Sequence, residues 1–341
     1  MRLTCLRLLT ISLLFAGLFA GSATAQPPRI GVIDFYGLRK VSEAKVRETL
    51  GVKEGDPLPP SKGDVEDRLA DLQGVVESHL EAVCCEAGDA ILYVGIEEKG
   101  SPHFELRDPP GADIKLPGEI TTAYFDFLQA SSTAVRLGED RDDLTHGHRL
   151  SANPQTRAVQ EQFIALAKDH LKDLRDVLRT ASDEDQRATA AYVIGYAPRK
   201  SDVVNDLEYA LKDADAGVRG NATHSLVAFA VLEHLDPSSA VKVSPTWFIE
   251  MLNSLSWTDR SEALMALQIL TDDRDQMVLD QLRDRALPAL VEMARWKTLA
   301  HALPAYVLLG RIAGIPEKEI QDQWSRGDRD TVIAAATRKK K

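Results

Sequence analysis

The chain has 341 residues with 52 acidic against 41 basic side chains, a net charge of −11. That balance disfavours nucleic acid and anionic lipid as partners. Three cysteines cannot supply a disulfide framework, so hydrophobic cores must hold the protein together.

The amino terminus, "MRLTCLRLLTISLLFAGLFAGSATAQ", places Arg2 and Arg7 before an apolar run from Leu8 to Ala20 and Ala23-Thr24-Ala25 before Gln26. This is the order of a cleavable secretory signal, residues 1–25 with the cut after Ala25. The apolar run is short for a bilayer span, and an uncleaved membrane anchor is the alternative. Cys5 precedes the apolar run, so it does not read as a lipidation site. Cleavage would remove two arginines and leave about −13, on a periplasmic or secreted chain with no integral membrane span.

Residues 29–99 read as strand, helix, helix, strand, strand. Ile30, Val32 and Asp34 alternate onto one strand face, and Ser42 caps a helix carrying Val46 and Leu50. Gly51, Gly55 and Asp56-Pro57 end that helix. A second, over residues 61–72, places Val65, Leu69 and Leu72 on one stripe. "VVESHLEAVCCEAGDAILYVGIEE" reads as a hairpin joined at "EAGDA". Cys84 and Cys85 are consecutive, so their side chains point to opposite faces of a strand with Cα atoms ~3.8 Å apart. Two unlinked thiols are expected, with a strained vicinal bridge or an intermolecular bond as alternatives.

The stretches "FYGLRKVSEAKVRETLGVKEGDPL" and "AILYVGIEE" resemble a POTRA domain, a small periplasmic module of outer-membrane assembly and division proteins. The resemblance implies a sheet with Ile91 to Glu97 central and Val75 to Cys85 at an edge. Residues 76–84 are then expected to pair with an extended segment of a partner, unless the edge is solvated or covered by the chain after Gly100.

Residues 100–153 read as a linker with a short helix. "SPHFELRDPPGADIKLPGEI" is rich in Pro and Gly, and "TTAYFDFLQASSTAV" has helical spacing. Within "RLGEDRDDLTHGHRLSANP", Asp142, Asp143, His146 and His148 are candidate metal ligands. They form no closed set of defined spacing, so capping and turn roles are preferred.

From Pro154 to residue 335 the pattern is helical, and residues 336–341 form a basic tail. Val159, Phe163, Leu166, His170, Leu174 and Leu178 fall at one helical spacing. The segments "DEDQRATAAYVIG", "DADAGVRGNATHSL", "SWTDRSEALMALQIL" and "WKTLAHALPAYVLLG" then repeat one order. Aligning Arg187, Arg219, Arg260 and His301 brings Ala190, Ala222, Ala263 and Pro304 together, and Ile194, Leu226, Leu267 and Leu308. The spacings are 32, 41 and 41 residues, the period of a helical repeat array. The middle of this region, residues 182–232, resembles HEAT repeats. In such an array the arginines are expected to reach acidic turn residues, including those of the neighbouring repeat, and the alanines to keep the helices narrow where pairs pack.

No G-x-S-x-G, phosphate-cradling glycine loop, H-E-x-x-H or C-x-x-C is present. Ser131, Ser132 and Ser225 have no base that sequence points to. Asn221 opens a glycosylation sequon inside a repeat, and His224, His234 and His301 read as partly buried structural histidines. The expected fold is a small α+β POTRA-like module followed by an all-α superhelical solenoid of HEAT type. The expected function is an exported envelope scaffold or adaptor for an unidentified protein partner, with no catalytic, cofactor or metal residues assigned. The alternative is a hydrolase or metal-dependent enzyme with its site in residues 124–153.

Overall fold

The computed structural model describes residues 28–86 and 88–338. The expected signal segment, its cut after Ala25 and the last three residues of the basic tail lie outside the described residues.

The first part follows the expected order: β1 (Ile30–Tyr36), α1 (Glu43–Leu50), α2 (Lys62–Ala70), β2 (Val75–Glu86) and β3 (Asp89–Glu98). Ser42 and Ser61 cap the two helices by accepting from Lys45 N and Asp64 N. The sheet order is β1-β3-β2, with β3 central, parallel to β1 and antiparallel to β2. β3 is covered on both faces, which is why it is a continuous apolar run rather than an alternating one. Leu92, Val94 and Ile96 pack with Val46, Leu50, Val65 and Leu69 of α1 and α2, whereas Ile91 and Tyr93 join the core of the helical part. A register shift between Ile30 and Val32 corrects the simple alternation of β1. Ile30 and Ile33 face α1 and α2, while Val32 turns to the helical part.

Two expectations for β2 change. Cys84 is disulfide-bonded, so it is not an unlinked thiol; its partner is outside the described side chains. The pairing of β2 shifts between Val83 and Glu86, so the alternation argument does not hold there. At the free edge, the Leu80 amide donates to Glu66 Oε1 of α2 at 2.6 Å. The edge donor at the centre of residues 76–84 is thus already occupied by a side chain of the module itself.

Residues 100–117 are laced onto the helical part. Arg107 N donates to Lys212 O (2.8 Å), Ala112 N to Thr180 O (2.9 Å) and Leu116 N to Gln186 Oε1 (2.8 Å). The Arg107 guanidinium lies 3.4 Å from the Tyr209 ring centre. Then come α3 (Gly118–Leu137), twenty residues and so longer than the short helix expected, and a two-stranded hairpin of β4 (Asp142–Asp143) and β5 (Leu150–Ser151).

The remaining helices are α4 (Pro154–Asp169), α5 (Leu171–Thr180), α6 (Glu184–Ile194), α7 (Val204–Ala210), α8 (Ala216–Leu235), α9 (Thr246–Met251), α10 (Trp257–Leu270), α11 (Gln276–Met293), α12 (Leu299–Ile312), α13 (Glu317–Ser325) and α14 (Arg329–Thr337). α6, α8, α10, α12 and α14 pack in succession, flanked by α5, α7, α9, α11 and α13. The described chain is therefore mostly helical with one small α+β unit. None of its described helices is long and apolar enough to cross a membrane.

The repeated arginines bind successive turns. Arg187 donates through Nη1 to Ala181 O and Ser182 O, and through Nε and Nη2 to Asp213 at 2.9 and 2.8 Å. Arg219 repeats this on Asp213 O and Ala214 O, with Nε on Asp259 Oδ1 at 2.9 Å. Both ion pairs are buried. The third rung departs: Arg260 Nε donates to Ser254 O, and its guanidinium sits 4.4 Å from the Tyr36 ring centre and 4.0 Å from Glu292.

That departure marks where the sheet docks. Tyr36 donates to Leu255 O (2.7 Å), Gly37 N to Glu292 Oε2 (3.1 Å) and Lys297 N to Asp34 Oδ2 (2.9 Å). Tyr93 stacks on Trp257 at 5.0 Å, packs on Trp296 at 4.9 Å and shares a 2.6 Å hydrogen bond with His301 Nδ1. Glu81 accepts from Trp257 N and from the hydroxyls of Ser256 and Thr258, capping α10 from another part of the chain. Gly95 permits this approach, since a Cβ there would lie 2.6 Å from the Tyr36 ring and 2.7 Å from Leu255 O.

Candidate functional site

A cleft of about 370 Å³ lies between α3, the β4–β5 hairpin, α6 and α8. Its long wall is one face of α3: Tyr124, Phe127, Leu128, Ser131, Ala134 and Val135, at i, i+3, i+4, i+7, i+10 and i+11. Phe127 and Ala134 turn into the core, leaving Leu128 45% and Val135 59% exposed. The opposite wall comes from α4, α6 and α8 through Thr156, Gln160, Tyr192, Asn221 and His224.

These polar groups are held in place by one another. Asn221 Nδ2 donates to the Tyr124 hydroxyl (3.0 Å) and to Ala188 O (2.9 Å). Gln160 donates to the Tyr192 hydroxyl (3.1 Å) and accepts from Ser151 N (2.6 Å). Tyr196 donates to Arg149 O at 2.8 Å, tying the hairpin to α6. At the rim, Arg149 places Nε and Nη2 on Asp142 Oδ2, both at 2.6 Å. Asp140 is exposed and lines the cleft without a hydrogen bond or ion pair among the described residues.

In the opposite wall, His224 Nε2 is 3.5 Å from Glu262 Oε1, which lies behind it. Burial, and then the Arg149 charge, lowers the His224 pKa to about 4; burial, and then Asp259, raises that of Glu262 to about 8. Both shifts favour the neutral forms, an uncharged imidazole beside a protonated carboxyl. A second pair, buried Lys200 and half-buried His148, lies beneath residues 144–149. Lys200 Nζ donates to Gly195 O (2.8 Å) and sits 3.3 Å from His148 Nδ1. Burial lowers the Lys200 pKa to about 7, and burial followed by the Lys200 charge lowers that of His148 to about 4.

The candidate ligands of the sequence do not converge. Asp142 pairs with Arg149, and Asp143 accepts from Thr145 N and Oγ1 at 2.9 and 2.7 Å, a turn role. His148 is wedged between Lys200 and Tyr196, with His146 exposed beside it. Among the described residues no group of three or more His, Cys, Asp or Glu is placed to hold a metal ion. Ser131 lines the cleft; Ser132 is exposed, and Ser225 is buried where α8 crosses Gly195.

The histidines divide three ways. His234 is exposed rather than partly buried, because it falls in the last turn of α8, on a side that nothing among the described residues covers. His301 is structural, in the sheet interface, while His224 reaches the cleft. Sequence reasoning passed over Tyr124, Tyr192, Lys200 and Glu262, since no spacing brings Tyr124 to Asn221 across 97 residues. No family model matches the chain.

Proposed function

We propose that the chain is an exported scaffold or adaptor. Its stacked hairpins act as a HEAT-like α-solenoid that binds another protein, with a POTRA-like module packed beside α10, α11 and α12. The supporting observation is the arginine ladder. Arg187 and Arg219 commit their donors to turn carbonyls and to the aspartate of the next hairpin, so the most regular charged residues of the sequence serve shape. An array of this kind works by offering a long surface. The Leu80 amide, already occupied at the sheet edge, supports taking the helices rather than that edge as the docking surface.

Photo-crosslinking residues placed at exposed Met265 of α10 and Leu128 of α3 test this in the envelope fraction of the source cells. The expected result is one reproducible crosslinked protein; crosslinks from neither position would sink the reading. The cleft favours one second reading, a hydrolase or metal-dependent enzyme using residues 124–153, because a histidine backed by a carboxyl faces a partly apolar cavity. Stoichiometric metal in the purified protein, or a hydrolysis activity abolished by His224→Ala, would replace the adaptor with that enzyme.

A further inference from the structure

Four of the twelve large apolar side chains exposed among the described residues, Phe125, Leu128, Val135 and Leu137, belong to α3. Leu128 and Val135, seven residues apart, share one side of the helix, whereas Leu137, nine residues after Leu128, falls on the other side. Leu128 and Val135 face the cleft, together with the Tyr124 ring. The wall from Tyr124 to Val135 spans eleven helical steps, about 16 Å at the helical rise. An extended chain covers that length in about five residues.

The charges in the cleft are unequal. Arg149 is the one cation among the lining residues and is neutralised by Asp142, which leaves the Asp140 carboxylate at the carboxy-terminal end of α3. His224 adds no positive charge at neutral pH, since burial keeps its imidazole neutral. The whole chain, at −11, adds a field that attracts cationic groups.

We infer that this cleft receives an extended protein segment of about five residues, with apolar side chains on Leu128 and Val135 and a lysine or arginine at Asp140. The aliphatic stem of the basic residue lies along the apolar wall while its head reaches the carboxylate. This rests on the adaptor reading and names the chemistry of the partner.

An array of immobilised pentapeptides, probed with the full-length mature protein at low salt, tests it. Peptides combining Leu, Ile, Val or Phe with a terminal Lys or Arg should retain the protein about tenfold better than counterparts carrying Glu there. Asp140→Asn should reduce that preference to about twofold or less, and Leu128→Ser with Val135→Ser should weaken retention of both classes. These side chains are exposed, and an unchanged far-ultraviolet circular dichroism spectrum confirms that each variant is folded. Equal retention of basic and acidic peptides by the wild type, or a preference untouched by Asp140→Asn, overturns the inference. Crosslinks from Met265 without any from Leu128 sink the cleft but keep the adaptor; crosslinks from neither position sink the adaptor reading on its own account.

Discussion

At the scale of single residues, the ladder and the buried amine make opposite demands on charge. Removing Arg219 strands Asp259, 1% exposed, and leaves the carbonyls of Asp213 and Ala214 without their donor. Arg219→Ala is therefore expected to lower the unfolding free energy by about 3 kcal/mol in a urea titration, and an unchanged midpoint would refute the ladder as a stabilising device. Lys200 differs in having no carboxylate partner among the described residues; its amine meets Gly195 O, the His148 ring and the face of Phe229. Its pKa is about 7 folded, against an unfolded value of about 10.4, so between those limits the unfolded chain binds more protons and stability rises with pH. Lys200→Met removes that dependence. Relative to the variant, the wild type should gain about 1 to 3 kcal/mol on going from pH 7 to pH 10, and parallel profiles would show that the amine is not buried as described.

At the scale of elements, α8 is the sharpest test of the repeat. Ala222 is the seventh residue of α8 and fully buried, so Ala222→Pro deletes a hydrogen bond and forces a ring into the preceding turn. A loss of about 3 kcal/mol or more is expected, with soluble yield falling accordingly; a variant as stable as the wild type would mean the helix starts later than Ala216. Much of this level was legible in the sequence. The succession of strands and helices in residues 29–99, the Ser42 cap, the arginines and the fully buried Ala190, Ala222 and Ala263 follow from local periodicity and capping chemistry, whereas the central place of β3 was implied by the POTRA resemblance. What escaped was set by tertiary contact. One helical stripe from Val159 to Leu178 is broken at His170, whose backbone leaves the helical region at φ −115° and ψ 25°. Nothing local separates His170 from its neighbours. The cleft was invisible for the same reason, since its walls come from five segments with separate patterns.

At the scale of the whole molecule, the sheet and the helices share a core. Tyr36, Ile91 and Tyr93 belong to the same buried cluster as Trp296 and the array alanines. A single cooperative thermal transition is expected, because two of the four tryptophans, Trp257 and Trp296, sit in the interface and should report the same midpoint as circular dichroism. Tyr93→Ala removes the ring that contacts both indoles and the hydroxyl that meets His301. It should cost about 3 to 5 kcal/mol and separate the fluorescence midpoint from the circular dichroism midpoint. Coincident midpoints in that variant would mean the two parts are coupled elsewhere, through the laced residues 100–117.

The Glu81 cap on α10 sets an order in time. Its acceptor is made early and its donors, at Ser256 to Thr258, come 175 to 177 residues later. During synthesis from the amino terminus, the sheet can close over α1 and α2 long before its other face, with Tyr36, Ile91 and Tyr93, has anything to cover it. For the interval between those two events the nascent chain presents an aromatic surface to its surroundings. A chain halted before residue 257 is therefore expected to keep that face uncovered, and to bind more of a hydrophobic dye than the full-length protein does.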